Sequence, residues 1–232
     1  MTTTSARRPW LLAIDTATSR IIVAAGEPDG RQVRALDWPA GHRHGERLLL
    51  GVERLLTETG LARADLVGVV VGTGPGAFTG LRVGIATAKA LAHAMSVPIA
   101  GVGTGAALLR AAATVNPESA GNLVLLLPAG PHDRVEVRDA QPARLLPGGT
   151  EPELGPVDLV VAVDLADRAP EAAVARGEGA LTGFAAALLE LGAGRLHAGT
   201  GDDVARLVPE YVTLPRGSRA ASGEIAWSHG PR

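Results

Sequence analysis

Two stretches of this chain carry residue types that can hold an anion or steer a proton. The first is Asp15-Thr16-Ala17-Thr18-Ser19-Arg20, a carboxylate followed by hydroxyls. In such a turn, backbone N–H groups and hydroxyls can seat a phosphate. Asp15, Thr16 and Thr18 would then face it, with Asp15 orienting a water or a metal ion. The same residues also make an ordinary polar hairpin turn in which Asp15 and Thr16 bond their own backbone. The second stretch runs from Val67 through Gly74-Pro75-Gly76-Ala77-Phe78-Thr79-Gly80-Leu81-Arg82-Val83-Gly84. A glycine turn opening a helix points free N–H groups at an anion; equally, it lets backbone pack close against backbone. Neither named phosphate motif fits. No Gly-x-x-x-x-Gly-Lys-Ser/Thr run exists, and Lys89, the single lysine, comes too late. Counted from Gly74, Thr79 stands where the dinucleotide fingerprint needs its third glycine; counted from Gly72, no acid occurs between Ala92 and Gly101.

Two further groups invite chemistry. His42 and His44 sit two apart, but a metal needs a third ligand, and Glu46 lies beyond a glycine. The helical His-x-x-x-His spacing is absent, so these histidines read as exposed or capping groups and no metal site is expected. Arg82 places a cation in the first turn of a helix, against its dipole. That suggests an anionic partner group or a local carboxylate.

These residues need a scaffold, and the pattern supplies one. Trp10–Ile14, Ile21–Ala25 and Arg31–Asp37 read as three meandering strands joined by polar turns. Leu48, Leu49, Leu50, Val52, Leu55 and Leu56 give the helix Glu46–Glu58 an apolar stripe wider than one sheet face requires. Val67–Val71 reads as a buried strand. A helix follows from near Gly80 with Thr79 as N-cap, burying Leu81, Ile85, Ala88 and Leu91. Pro98–Val102 and Gly105–Ala113 add a strand and a helix, giving β-β-β-α-β-α-β-α, a mixed sheet with helices on its faces.

Beyond Asn116-Pro117 the signal weakens. Leu123–Leu127 reads as a buried strand, Arg134–Arg138 as an edge or half-exposed one, and Leu159–Val163 as another. Ala180–Leu191 is a helix weakened by Gly183, and Val204–Leu207 one helical turn. Residues 1–9 read as a disordered lead-in and 215–232 as a disordered tail. No internal repeat is evident.

Composition narrows the function classes. With 232 residues and 46% hydrophobic side chains, the chain can build one large core or two small ones. A net charge of −2 argues against bulk attraction to nucleic acid, and 3% aromatics against stacking platforms for RNA. The absence of cysteine excludes disulfides and thiolate metal sites. No apolar run is long enough to cross a membrane. Together these features point to a soluble cytoplasmic protein.

Asp15-Thr16-Ala17-Thr18, His44-Gly45-Glu46-Arg47-Leu48-Leu49 and the run Gly74 to Gly84 stand in an order and spacing that resemble the TsaB (YeaZ) family. Those proteins are dimerisation subunits of the bacterial machinery that makes N6-threonylcarbamoyladenosine in tRNA. The likeness is good from about residue 10 to 110. It implies an actin/sugar-kinase-like (ribonuclease H-like) α/β fold in two lobes, 10–114 and a reduced 115–214. It also implies a non-catalytic subunit docking a TsaD-like catalytic subunit, with a TsaE-like ATPase joining them. Contact with tRNA would be only indirect, and self-pairing to a homodimer uses overlapping surfaces. His44, Glu46, Leu48, Leu49, Val52, Leu81 and Ile85 would lie at the partner interface. No cofactor would be held tightly, though ATP or ADP can sit at the partner junction.

The residues also depart from that family. After the strand opening the second lobe, Leu127 to Val137 lacks the family's leading acid and its tyrosine, and prolines intrude. Pro209-Glu210-Tyr211-Val212 only loosely matches the family's ending. The competing reading is a small ATP-dependent phosphotransferase of the sugar-kinase type working through Asp15. Its second-lobe acids, Asp158 and Asp164, flank a strand but lie in no glycine-rich phosphate turn.

Overall fold

A computed structural model describes residues 9–29, 33–40 and 44–212, excepting the side chains of 44–46. The expected lead-in up to residue 8, His42 and the tail 215–232 lie outside the described residues. Strands β1 (Trp10–Asp15), β2 (Arg20–Gly26) and β3 (Arg34–Pro39) form the meander. Helix α1 (His44–Thr59), β4 (Leu66–Gly72), α2 (Phe78–Met95), β5 (Ile99–Val102) and α3 (Thr104–Val115) follow. The sheet order is β3-β2-β1-β4-β5. Its first two pairings are antiparallel because short turns join them; β1–β4 and β4–β5 are parallel because helices cross over.

Every residue of β1 is buried, so the strand faces two cores. Leu12 and Ile14 share one with Val69, Val71, Leu48, Leu55 and Ile85. Leu11 and Ala13 share the other with Val70, Leu108, Phe184 and Leu188.

The second half repeats the first in topology, although no repeat is visible in sequence. Strands β6 (Leu123–Pro128), β7 (Arg134–Val137), β8 (Arg144–Leu146) and β9 (Leu159–Ala162) order as β8-β7-β6-β9. β6–β7 and β7–β8 are antiparallel and β6–β9 parallel, matching β3-β2-β1-β4, with no fifth strand among the described residues.

Two expectations need correction. β7 is fully buried rather than half-exposed, because β8, which the sequence did not suggest, covers its edge. Its charges are paired: Glu136 accepts from Arg138 (2.7 Å) and Arg144 (3.0 Å), while Arg134 donates to Thr150 O (2.6 Å) and Glu151 (2.9 Å). The last helix, α4, runs from Glu171 to His197, well past both limits expected from Ala180–Leu191. Its glycines are contact points: a Cβ at Gly177 would fall 1.9 Å from Ala162 O, and one at Gly192 2.3 Å from Val70. Packing here outweighs the helix penalty of glycine. The expected helical turn at Val204–Leu207 is present: Asp203 O accepts from the Arg206 N–H (3.0 Å) and the Leu207 N–H (2.9 Å), in a strap over residues 198–212 that runs along β5. There the Asp202 N–H donates to Ile99 O (2.8 Å) and the Gly101 N–H to Asp202 Oδ2 (2.7 Å).

The division near residue 115 separates the two sheets but not their interior. Leu11, Ile22 and Val70 belong to one cluster with Leu125, Val137 and Phe184. Phe184→Ala should therefore cost about 3–5 kcal/mol, the usual range for emptying a buried aromatic site. Urea unfolding followed by circular dichroism and by tryptophan fluorescence should give one coincident transition. Two separated transitions would mean independent lobes.

Candidate functional site

The end of β1, the glycine turn after β4 and the start of α3 meet at Asp15, whose side chain is fully buried. Its Oδ1 accepts from the Ala17 N–H (2.8 Å), and its Oδ2 accepts from Thr104 Oγ1 (2.6 Å). Thr104 Oγ1 in turn accepts from the Gly74 N–H (3.1 Å). Thr16 Oγ1 donates to Gly80 O (2.7 Å), and Thr18 Oγ1 donates to Arg20 O (3.2 Å). The glycine-rich run is pressed onto this turn. A Cβ at Gly72 would fall 1.7 Å from Asp15 Oδ2, and one at Gly80 2.0 Å from Thr16 O. No side chain fits at either position.

The phosphate-facing role expected of Asp15 and Thr16 is thus corrected. The carboxylate points inward and its acceptors are occupied, so the self-bonded turn is what the chain builds. Thr18 is buried as well, and its hydroxyl closes onto Arg20. Thr79 is not the N-cap: α2 begins at Phe78 with Ala77 before it, because Ala77 O already accepts the first helical bond, from the Leu81 N–H (2.9 Å). Burial pushes the Asp15 carboxyl up to about 6, against the opposing pull of the Thr104 and Ala17 hydrogen bonds.

Between the two sheets lies a cleft of about 740 Å³ whose lining includes Ser19, Pro75, Gly76, Phe78, Asp164 and Tyr211. Among the described residues its ionisable acids are Asp164 and Glu210, and none of those lining it is a lysine or arginine. Partial burial raises the Glu210 carboxyl. Such walls repel a polyphosphate rather than neutralise it. Asp158 lies outside the cleft, bonded to Arg138 at 2.8 Å, and that bond holds its carboxyl low. Among the described residues Arg82 is not paired with a carboxylate. Its guanidinium lies 3.8 Å over the Phe78 ring and its Nε donates to Tyr211 OH (3.0 Å), with the two rings 5.0 Å apart. The part played by Tyr211 was missed in the sequence because only the strap brings it to α2. Among the described residues no group of three His, Cys, Asp or Glu is placed to hold a metal ion.

The expected interface splits in two. Leu48 (0% exposed), Val52 (6%), Leu81 (1%) and Ile85 (4%) belong to the core. Leu48, Leu81 and Ile85 face the sheet, whereas Val52 also lines the groove between α1 and α2. Leu49 and Leu50 stand 53% and 62% exposed beside an apolar groove of about 930 Å³ between α1 and α2, which Leu56, Leu61, Leu91 and Met95 also line. The side chains of His44 and Glu46 lie outside the described residues.

The family model for TsaD, tRNA N6-adenosine threonylcarbamoyltransferase, matches residues 39–152. TsaB of Escherichia coli, a tRNA threonylcarbamoyladenosine biosynthesis protein, is 40% identical over 94 residues, which are 40% of each chain. An uncharacterised Mycobacterium leprae protein is 44% identical over 95 residues, 40% of this chain and 26% of that one. The chain thus matches less than half the length of these curated relatives. In three dimensions it is similar to YeaZ from Pseudomonas aeruginosa, at 23% identity and a TM-score of 0.68, over 88% of this chain and 99% of the other. That likeness carries the fold, two-lobed and mixed α/β.

Asp15 gives a pH test. Its native value near 6 exceeds the ordinary 3.8, so between these values the folded chain binds more protons than the unfolded one. The contribution is fully present below the ordinary value and is lost as pH rises through the native one. It amounts to about 3 kcal/mol between pH 4 and 7. Urea midpoints should fall across that range in the parent protein, and much less in Asp15→Asn. Parallel profiles would remove Asp15 as the cause.

Proposed function

We propose that this chain, whose first lobe is related to the TsaB proteins, is a partner subunit in threonylcarbamoyladenosine biosynthesis and docks a TsaD-type transferase. The observation that carries this reading is the apolar groove between α1 and α2, with Leu49 and Leu50 standing out of it. Exposed leucines beside a groove of that size suit a partner that buries them. Docking rather than catalysis also accords with the other site. Asp15 is committed to backbone and Thr104 hydrogen bonds, and the described lining of the cleft offers carboxylates where phosphoryl transfer needs cations. The sugar-kinase reading is the weaker for the same reason.

The remaining elements belong to the same proposal. A TsaE-like ATPase joins the pair, a homodimer forms through an overlapping surface, and ATP or ADP binds at a partner junction rather than in the cleft. The complex touches tRNA through its other members and works in the cytoplasm. No helix among the described residues is long and apolar enough to cross a membrane.

Co-expression with the TsaD-type subunit of the same organism tests the reading. The double variant Leu49→Arg/Leu50→Arg should lose co-elution on size exclusion. Its circular dichroism and melting should match the parent, since both side chains are already in water. Undiminished co-elution would reject the groove as the docking face. ATP turnover by the isolated chain that disappears in Asp15→Ala would favour the phosphotransferase instead.

A further inference from the structure

The Ser19 turn of the first lobe reaches across the cleft to Asp164, which follows β9 in the second. Its N–H donates to Asp164 Oδ2 (2.6 Å) and its Oγ donates to Oδ1 (2.5 Å). Both oxygens of one carboxylate are thus held by one residue that lies 145 positions away in sequence. Asp164 presents that carboxylate from a left-handed backbone conformation, φ 58°. Such a conformation is uncommon outside glycine, though aspartate tolerates it better than most residues.

The contact sits where it can govern the cleft. On one side the lobes are welded by α3 and α4, whose buried faces share a core with strands from both sheets. On the other side lies the cleft, with Ser19 and Asp164 both in its lining. A body joined firmly along one side and, among the described residues, by the two Ser19–Asp164 hydrogen bonds at the other has the layout of a hinge with a catch. The bonds are charge-assisted, hence stronger than neutral ones. Yet Ser19 is exposed, so water competes for them.

We infer that Ser19 and Asp164 form a latch that holds the two lobes closed over the cleft, and that its release lets them swing apart about α3 and α4. The latch also occupies the donors of the Ser19 turn, so an external anion meets that turn only when the cleft is open. This inference does not depend on what docks between α1 and α2.

The full chain lacks cysteine, so a pair of spin labels at Ala86→Cys and His132→Cys is unique. Both positions are exposed, one on α2 and one on the turn between β6 and β7. Pulsed electron resonance should give one narrow distance in this background. Adding Asp164→Ala should broaden the distribution toward longer distances and speed exchange of the Ser19 amide hydrogen roughly tenfold or more. A distribution superimposing on that of the background would overturn the latch. If Asp164→Ala does not fold by circular dichroism, Ser19→Ala decides. It keeps the amide bond and loses the hydroxyl one, so partial broadening supports the latch and no change rejects it.

Discussion

One buried carboxylate organises the first lobe. Asp15 ties the end of β1 to the start of α3 through Thr104, and Thr104 fixes Gly74 at the head of the glycine turn. The Ala17 N–H completes the set, turning the chain back into β2. A buried charge survives only where its oxygens are satisfied, and these donors satisfy both. The glycines follow from this arrangement. With Asp15 beneath Gly72 and Thr16 O beneath Gly80, the backbone approaches too closely for any side chain. Residues that suggest a phosphate cradle in sequence are thus a device for packing a turn against a helix.

The second lobe is a worn copy of the first. It keeps the strand order and directions, shows no fifth strand among the described residues, and has a proline-bearing turn, Pro128 to Pro131, where the first lobe has hydroxyls. Its long helix serves both lobes. Phe184 and Leu188 lie in the cluster under the first sheet, while Gly177 lets the same helix touch β9. The result is a body whose two halves cannot be assigned separate cores, presenting the α1–α2 groove on its outer side.

Much of the first lobe was legible in the sequence. Alternation and turn residues gave the meander, helical spacing gave α1, and the glycines marked the passage from β4 to α2. What escaped were facts that depend on distant partners. Nothing near Asp15 announces that Thr104 will take its oxygen, so an inward carboxylate and a phosphate ligand look alike in sequence. Leu48 and Leu49 are adjacent and equally apolar, yet one is core and the other surface, because the sheet covers one side of α1 only. Arg82 could not be matched to Tyr211, which is brought to it by a strap of irregular backbone. The extent of α4 was hidden by its glycines, whose role is set by Ala162 and Val70 rather than by helix propensity.

The central claim is that this chain acts by presenting its α1–α2 face to another subunit. Site-specific photo-crosslinking addresses it most directly. A photoreactive residue is placed at Leu50, or at Val157, which is 64% exposed on the second lobe. Irradiated with the TsaD-type subunit, position 50 should capture that subunit and position 157 should not. Capture from position 157 with none from position 50 would contradict the claim.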